Sequence, residues 1–157
     1  VFNNVGEAQS EGVELEASYL VTNALKVDFA LAYNKSEYTK VTANTDIDVG
    51  DQLPFAPHST ANLGVEYSFD ASSYPAFIRT DINYFGEAES HIVSANFPTI
   101  GDYVNVGLRA GINIDQWELA LYGSNLLNKD NATTYNNPNI AARLTPRKLG
   151  LSAKYSF

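Results

Sequence analysis

Apolar residues recur at every second position in seven segments of this chain, the repeat of strands whose two faces meet different surroundings. The first sets Val13, Leu15, Ala17, Tyr19 and Val21 against Glu14, Glu16, Ser18 and Leu20. The second sets Leu25, Val27, Phe29, Leu31 and Tyr33 against Lys26, Asp28, Ala30, Ala32 and Asn34. In the third, Ala61, Leu63, Val65, Tyr67 and Phe69 oppose Asn62, Gly64, Glu66 and Ser68; in the fourth, Ala76, Ile78, Thr80, Ile82 and Tyr84 oppose Phe77, Arg79, Asp81 and Asn83. The fifth alternates Val104, Val106, Leu108, Ala110, Ile112 and Ile114 with Asn105, Gly107, Arg109, Gly111 and Asn113. The sixth alternates Trp117, Leu119, Leu121 and Gly123 with Glu118, Ala120, Tyr122 and Ser124, and the last alternates Leu149, Leu151, Ala153, Tyr155 and Phe157 with Lys148, Gly150, Ser152, Lys154 and Ser156. One face thus holds 35 positions without a charge, and the other 31 positions of which 11 are charged.

A soluble β-sandwich also alternates, so the pattern predicts strands without deciding what covers the apolar face. Length begins to decide. Several patterns run for about 9 to 11 residues, what a tilted strand needs to cross a bilayer, where soluble strands are commonly about 5 to 6. The connections near 22–24, 70–75 and 115–116 are short, and those at 39–57, 87–100 and 129–145 are long. Strict alternation of short and long predicts an antiparallel up-and-down transmembrane β-barrel with tight periplasmic turns and long external loops. A Greek-key sandwich gives no reason for every long connection to lie on one side. Aromatic residues agree: Tyr19, Phe69, Trp117, Tyr155 and Phe157 mark the short-turn border of the apolar face, and Tyr33 and Tyr84 mark the long-loop border. Rings that keep one end wet suit a membrane interface. Seven strands do not close a single-chain bacterial barrel, which has an even number, so the chain is read as an arc of a larger one.

Composition changes this picture in a few places. The absence of Met predicts a mature or excised piece, and the absence of Cys removes disulfide and thiolate-metal chemistry. The opening residues carry no secretory-signal pattern, and no apolar run approaches the roughly 20 residues of a membrane helix. A formal charge of −8 with only 10 Lys and Arg disfavours nucleic-acid binding.

Four motifs in order resemble the TonB-dependent outer-membrane receptors. They are Asn4, Gly6 and Ala8 followed by Glu11-Gly12-Val13-Glu14-Leu15-Glu16; Leu53-Pro54, Pro57-His58 and Asn62-Leu63; Trp117 to Tyr122 followed by Asn125-Leu126-Leu127-Asn128-Lys129; and Pro146-Arg147 with Gly150-Leu151-Ser152, Tyr155 and Phe157. The resemblance implies a barrel of about 22 strands around a plug domain, with residues 1–157 as its C-terminal part, in the bacterial outer membrane. It implies active uptake of a scarce nutrient, most often a ferric siderophore or other iron complex, through the plug and the TonB complex. Cobalamin, haem or oligosaccharide uptake, or a passive porin, are the alternatives. Tyr155 and Phe157 also resemble the signal read by the barrel-assembly machinery, although Ser152 stands where a Gly is common.

The charged groups Glu14, Glu16, Lys26, Asp28, Glu66, Arg79, Asp81, Arg109 and Glu118 are expected to face the lumen and to meet water or the plug. The loop at 44–51 carries Asp46, Asp48 and Asp51, hard oxygen ligands of the kind that hold Ca²⁺, but Gly50 and Pro57 stand at the wrong places for an EF-hand. His58 and His91, the latter near Glu87 and Glu89, lie at loop edges as candidates to contact iron or an iron chelate, with a hydrogen-bonded rim residue the favoured reading of His58. Asn131-Ala132-Thr133 matches a glycosylation sequon that has no default meaning in a bacterial protein. No nucleophile with a base, paired catalytic carboxylates or phosphate-cradling loop appears, so neither an enzyme nor a cofactor is expected.

Overall fold

The computed structural model describes residues 6–43, 45–92 and 96–157. Asn4 of the opening motif and the first residue of the 44–51 loop lie outside them. Among the described residues nine strands form, β1 (Gly6–Leu20), β2 (Leu25–Val41), β3 (Ser59–Ala71), β4 (Tyr74–Phe85), β5 (Tyr103–Ile114), β6 (Trp117–Ser124), β7 (Ala132–Asn137), β8 (Ile140–Arg143) and β9 (Lys148–Tyr155). β1 to β6 and then β9 make one antiparallel sheet of seven strands in sequence order, and β7 and β8 pair apart from it as a hairpin inside the last connection.

Residues directly opposed in an antiparallel pair share a face, so the register tests the alternation strand by strand. Tyr19, Val27, Val65, Thr80, Leu108, Gly123 and Leu149 form one row across all seven strands, each opposed to the next. One position along, on the other face, run Leu20, Lys26, Glu66, Arg79, Arg109, Tyr122 and Gly150. A slip of one residue in any pair would mix the two sets. The apolar face remains open: Val13 is 71% exposed and Leu151 78%. This is a single layer without a core of its own.

The turns follow from local chemistry. Thr22 Oγ1 accepts the N–H groups of Ala24 (3.1 Å) and Leu25 (3.0 Å), closing the first turn. Ser72 and Ser73 both take positive φ, at 51° and 78°, which a two-residue hairpin with right-twisted strands requires. Between β6 and β9 the chain turns on Asn125, whose φ of 48° its short polar side chain tolerates. Its amide donates to the carbonyls of Lys129 (2.7 Å) and Thr145 (2.8 Å), and its Oδ1 accepts the Lys129 N–H (2.9 Å). The Asn125-Leu126-Leu127-Asn128-Lys129 motif is therefore a clamp across the base of the last loop.

Four details differ from the sequence expectation. β1 and β2 run on toward the long loops as residues 6–12 and 35–41, paired with each other. There the apolar face gives way to Glu11 opposite Lys35 and Gln9 opposite Glu37, so the period-2 signal fades although the ladder continues. Val21 falls in the first turn rather than in β1. The connection at 129–145 contains β7 and β8, a polar strand of six residues and a strand of four too short to show a period, neither with a buried face to mark it. Phe157 lies beyond β9, because Tyr155 already pairs with Trp117, the first residue of β6, and only the Ser156 N–H reaches farther, to Gln116 O.

Asn125→Ala should destabilise the last connection by about 2 to 4 kcal/mol, since it removes three hydrogen bonds at a buried, left-handed residue. Asn125→Gly, which keeps the backbone freedom and loses the bonds, should recover part of this. Limited proteolysis between residues 129 and 145 measures both, and wild-type resistance in Asn125→Ala would refute the clamp.

Candidate functional site

The sheet gathers its charges on one face, in rows that can be followed from the long-loop end to the short-turn end. The first row is Glu14, Ala32, Thr60, Phe85 and Tyr103, and the second is Glu16, Ala30, Asn62, Asn83 and Asn105. Then come Ser18, Asp28, Gly64, Asp81 and Gly107, and below them the row that holds Lys26, Glu66, Arg79 and Arg109. All nine charged residues singled out in the sequence stand on this face, and seven of them are brought into ion pairs.

Arg79 is the hub. Its Nε and Nη2 grip Asp81 at 2.7 to 3.2 Å, while Nη1 reaches Asp28 at 3.3 Å and Glu66 at 3.7 Å. Asp28 also pairs with Lys26 at 2.9 Å and accepts the Ser18 hydroxyl at 2.6 Å. Reaching from β4 over β3 to β2 needs a gap, and Gly64 supplies it: a Cβ there would lie 2.5 Å from Arg79 Nη2. Arg79 and Arg109 stand directly opposite each other, a repulsive arrangement for like charges. They lean apart, Arg109 toward Glu118 (2.6 Å) and the Ser152 hydroxyl (3.1 Å) on the far side. Aromatic rings cover two other glycines of this face, Phe77 over Gly111 and Tyr122 over Gly150. Glu14 and Glu16 have no ion-pair partner among the described residues.

The long loops build a small crown. Loop 42–58 returns along β2, with Tyr38 N–H to Asp51 O (3.0 Å) and Leu53 N–H to Ser36 O (3.3 Å), and it meets the next loop through Phe55 N–H to Glu89 O (2.8 Å). Tyr38, Ile47, Ala88, Ser90 and Ile100 are buried there. Burial, with Glu87 and Asp51 adding, pushes the Glu89 carboxyl up from its ordinary value. Asp48 N–H donates to Asp51 Oδ2 (2.9 Å), and Asp51 N–H donates to the Asp48 carbonyl (3.1 Å). His58 Nδ1 donates to Asn34 O (3.2 Å), and His91 stacks on Phe97 at 4.0 Å. Asn131 of the sequon donates to Gly101 O (3.3 Å), tying the last loop to the crown. Among the described residues no group of three or more His, Asp and Glu is disposed to hold a metal.

On the other face, the aromatic border descends two rows from Tyr19 in β1 to Phe69 in β3 and one further row to Trp117 in β6, which is level with Tyr155 in β9. A tilted sheet makes such a slanted line a level border. Tyr67, half exposed and stacked on Phe69 at 5.8 Å, belongs to the line, and its even spacing from Phe69 was the signal for it. Trp117 packs on Tyr155 at 5.0 Å, Tyr155 meets Phe157 edge-on, and its hydroxyl donates to Gln116 (2.7 Å). Tyr33 and Tyr84 lie at the other border, one position before the face becomes charged at Lys35 in β2.

A family model described as TonB dependent receptor-like, beta-barrel matches residues 1–126. The fold is similar to that of the ferric yersiniabactin uptake receptor FyuA from Yersinia pestis, with a TM-score of 0.86 at 23% identity over 98% of this chain and 24% of that one. It is similar also to BauA, the ferric preacinetobactin receptor from Acinetobacter baumannii (TM-score 0.78, 20% identity, 98% of this chain and 23% of that one). The ferric-catecholate import receptor Fiu from E. coli K12 gives 0.78 at 19% identity, over 97% and 21%. This chain thus spans less than a quarter of the length of these structures.

Arg79→Met should destabilise by about 2 kcal/mol, a figure discounted because water still reaches about a third of each partner. Gly64→Val should cost a similar amount by displacing the guanidinium, yet be neutral or stabilising when Arg79 is already Met. A double-mutant cycle by urea unfolding in lipid or detergent checks this, and simple additivity would refute the bridge over Gly64.

Proposed function

Because the chain belongs to the TonB-dependent receptor β-barrel family, we propose that residues 1–157 form the C-terminal arc of an outer-membrane uptake receptor. Family members are transport receptors, not enzymes, and sit in the bacterial outer membrane. In this reading the apolar face meets lipid, the polar face lines the lumen, and the long loops form part of the external mouth.

The observation that carries the proposal is the in-register face from Val13 to Tyr155, without a charge across seven strands. From Val104 to Ile114, β5 extends about 33 Å along its axis. Tilted by about 40°, it rises about 25 Å, the height of the apolar band of an outer-membrane barrel. A soluble protein would have to cover this surface, which far exceeds the few hundred Å² that monomers leave open. The borders suit the same reading, with rings at both edges and charge immediately outside.

The remaining strands of a barrel of about 22, a plug domain and the segment that contacts TonB then belong to upstream chain. Within the lumen, Glu14 and Glu16 would meet the plug or the cargo, and the Arg79 hub would form a self-satisfied wall. Tyr155 and Phe157 would serve the barrel-assembly machinery. The cargo class supported by the structural neighbours is a ferric siderophore or related iron complex. A passive porin shares the alternating strands but not the family.

Uptake of the cognate ferric chelate by cells carrying the intact gene should collapse when TonB is deleted or the proton-motive force is dissipated. Unchanged flux would favour the porin. For the face assignment, Leu108→Arg should destabilise by about 2 to 4 kcal/mol, as a charge near a bilayer midplane does. Arg109→Leu should cost less than half of that, because its partner Glu118 remains partly hydrated. Equal effects in a lipid-vesicle unfolding assay would contradict the assignment.

A further inference from the structure

The two rows of the polar face nearest the long loops enclose a recess of about 360 Å³, within the range of small-molecule sites. Ala30 and Ala32 form its floor, and their small side chains leave the space. Glu14 and Glu16 project from β1 on one side, and Asn62, Asn83 and Asn105 run as a ladder on the other. Phe85 and Tyr103, stacked at 5.8 Å, close the end toward the crown.

The groups around this recess ask for a donor. Both carboxylates lack a cation among the described residues. Asn62 donates its amide to Asn83 Oδ1, while Asn105 Oδ1, next in the ladder, is buried and accepts no hydrogen bond from the described residues. No Lys or Arg stands in either row across β1 to β5, whereas Lys26, Arg79 and Arg109 share a single row two rows nearer the short turns. A concave wall bearing one sign of charge concentrates the opposite sign, and aromatic faces favour the same guest.

We propose that this recess binds a cationic N–H group of the cargo, an ammonium or guanidinium, so that the receptor prefers ferric chelates carrying such a group over multiply anionic ones. The inference rests on the uptake reading and narrows its substrate class. A cationic group would take Glu14 and Glu16 as counter-ions and place an N–H toward the asparagine ladder, and a tris-anionic chelate would meet uncompensated carboxylates.

The test uses the full-length receptor and three probes: a ferric trihydroxamate with a free primary ammonium, the same chelate N-acetylated, and a ferric tris-catecholate. Binding to purified receptor and energised uptake into cells are both measured. The ammonium chelate should bind about tenfold tighter than its acetylated form. That ratio should fall to near unity in Glu14→Gln/Glu16→Gln, which preserves side-chain shape, and persist in Glu11→Gln on the opposite face. Equal binding of the two hydroxamates, as would follow if a basic residue of the upstream chain already filled the recess, overturns the proposal. So does tighter binding of the catecholate, or a ratio unaltered in the double variant. Energised uptake without an ammonium preference would sink the recess and leave the uptake reading intact, whereas an ammonium preference in binding without energised uptake of any chelate would do the reverse.

Discussion

The register of the antiparallel ladder is the constraint on which the rest of this structure depends. With each strand bonded to the next in sequence order, one unbroken alternation keeps apolar residues together on one side of seven strands and charges together on the other. There is no second layer to correct an error. A two-layer protein can bury a misplaced polar group against a neighbour, but here each side chain answers directly to what lies outside its face. That is why the 35-position apolar set tolerates no charge, while the opposite face carries 11.

The ladder also creates the problems that individual residues solve. It sets Arg79 opposite Arg109, and repulsion between them would open the sheet if both reached the same way. Carboxylates on either flank draw them apart, and Gly64 clears the path by which Arg79 crosses an intervening strand. Glycines that would otherwise weaken the strands lie beneath Phe77 and Tyr122, which restores contact surface where a side chain is missing.

The features that repeat locally were legible in the sequence. Period-2 alternation located the seven strands, and connection length separated the tight turns at one end of the sheet from the long loops at the other. The features invisible there are those that depend on a partner far along the chain. Nothing near Gly64 announces a guanidinium from β4, and nothing near Asn125 announces that Thr145 completes its bonds. The extensions of β1 and β2 escaped for the opposite reason: both of their faces are polar, so the ladder continues where amphipathicity stops. β7 was missed on the same ground and β8 because four residues are too few to show a period, and Phe157 was overextended because alternation carries no information about where the neighbouring strand begins.

The polar face differs along its length, and the difference follows from the same register. Where Lys26, Glu66, Arg79 and Arg109 share a row and the row of Asp28 and Asp81 lies beside it, opposite charges are within reach and neutralise each other. Two rows farther toward the loops, alanines separate the glutamates from the asparagines, and no cation is near enough to pair. One wall therefore contains a satisfied zone and an unsatisfied zone, set by nothing more than which residues share a row. A satisfied zone has little reason to hold a moving guest, because a guest must first break bonds already made. An unsatisfied zone gains by contact. Placing it beneath the long loops, where the proposed cargo would arrive, orients the wall from a place that attracts toward one that lets go.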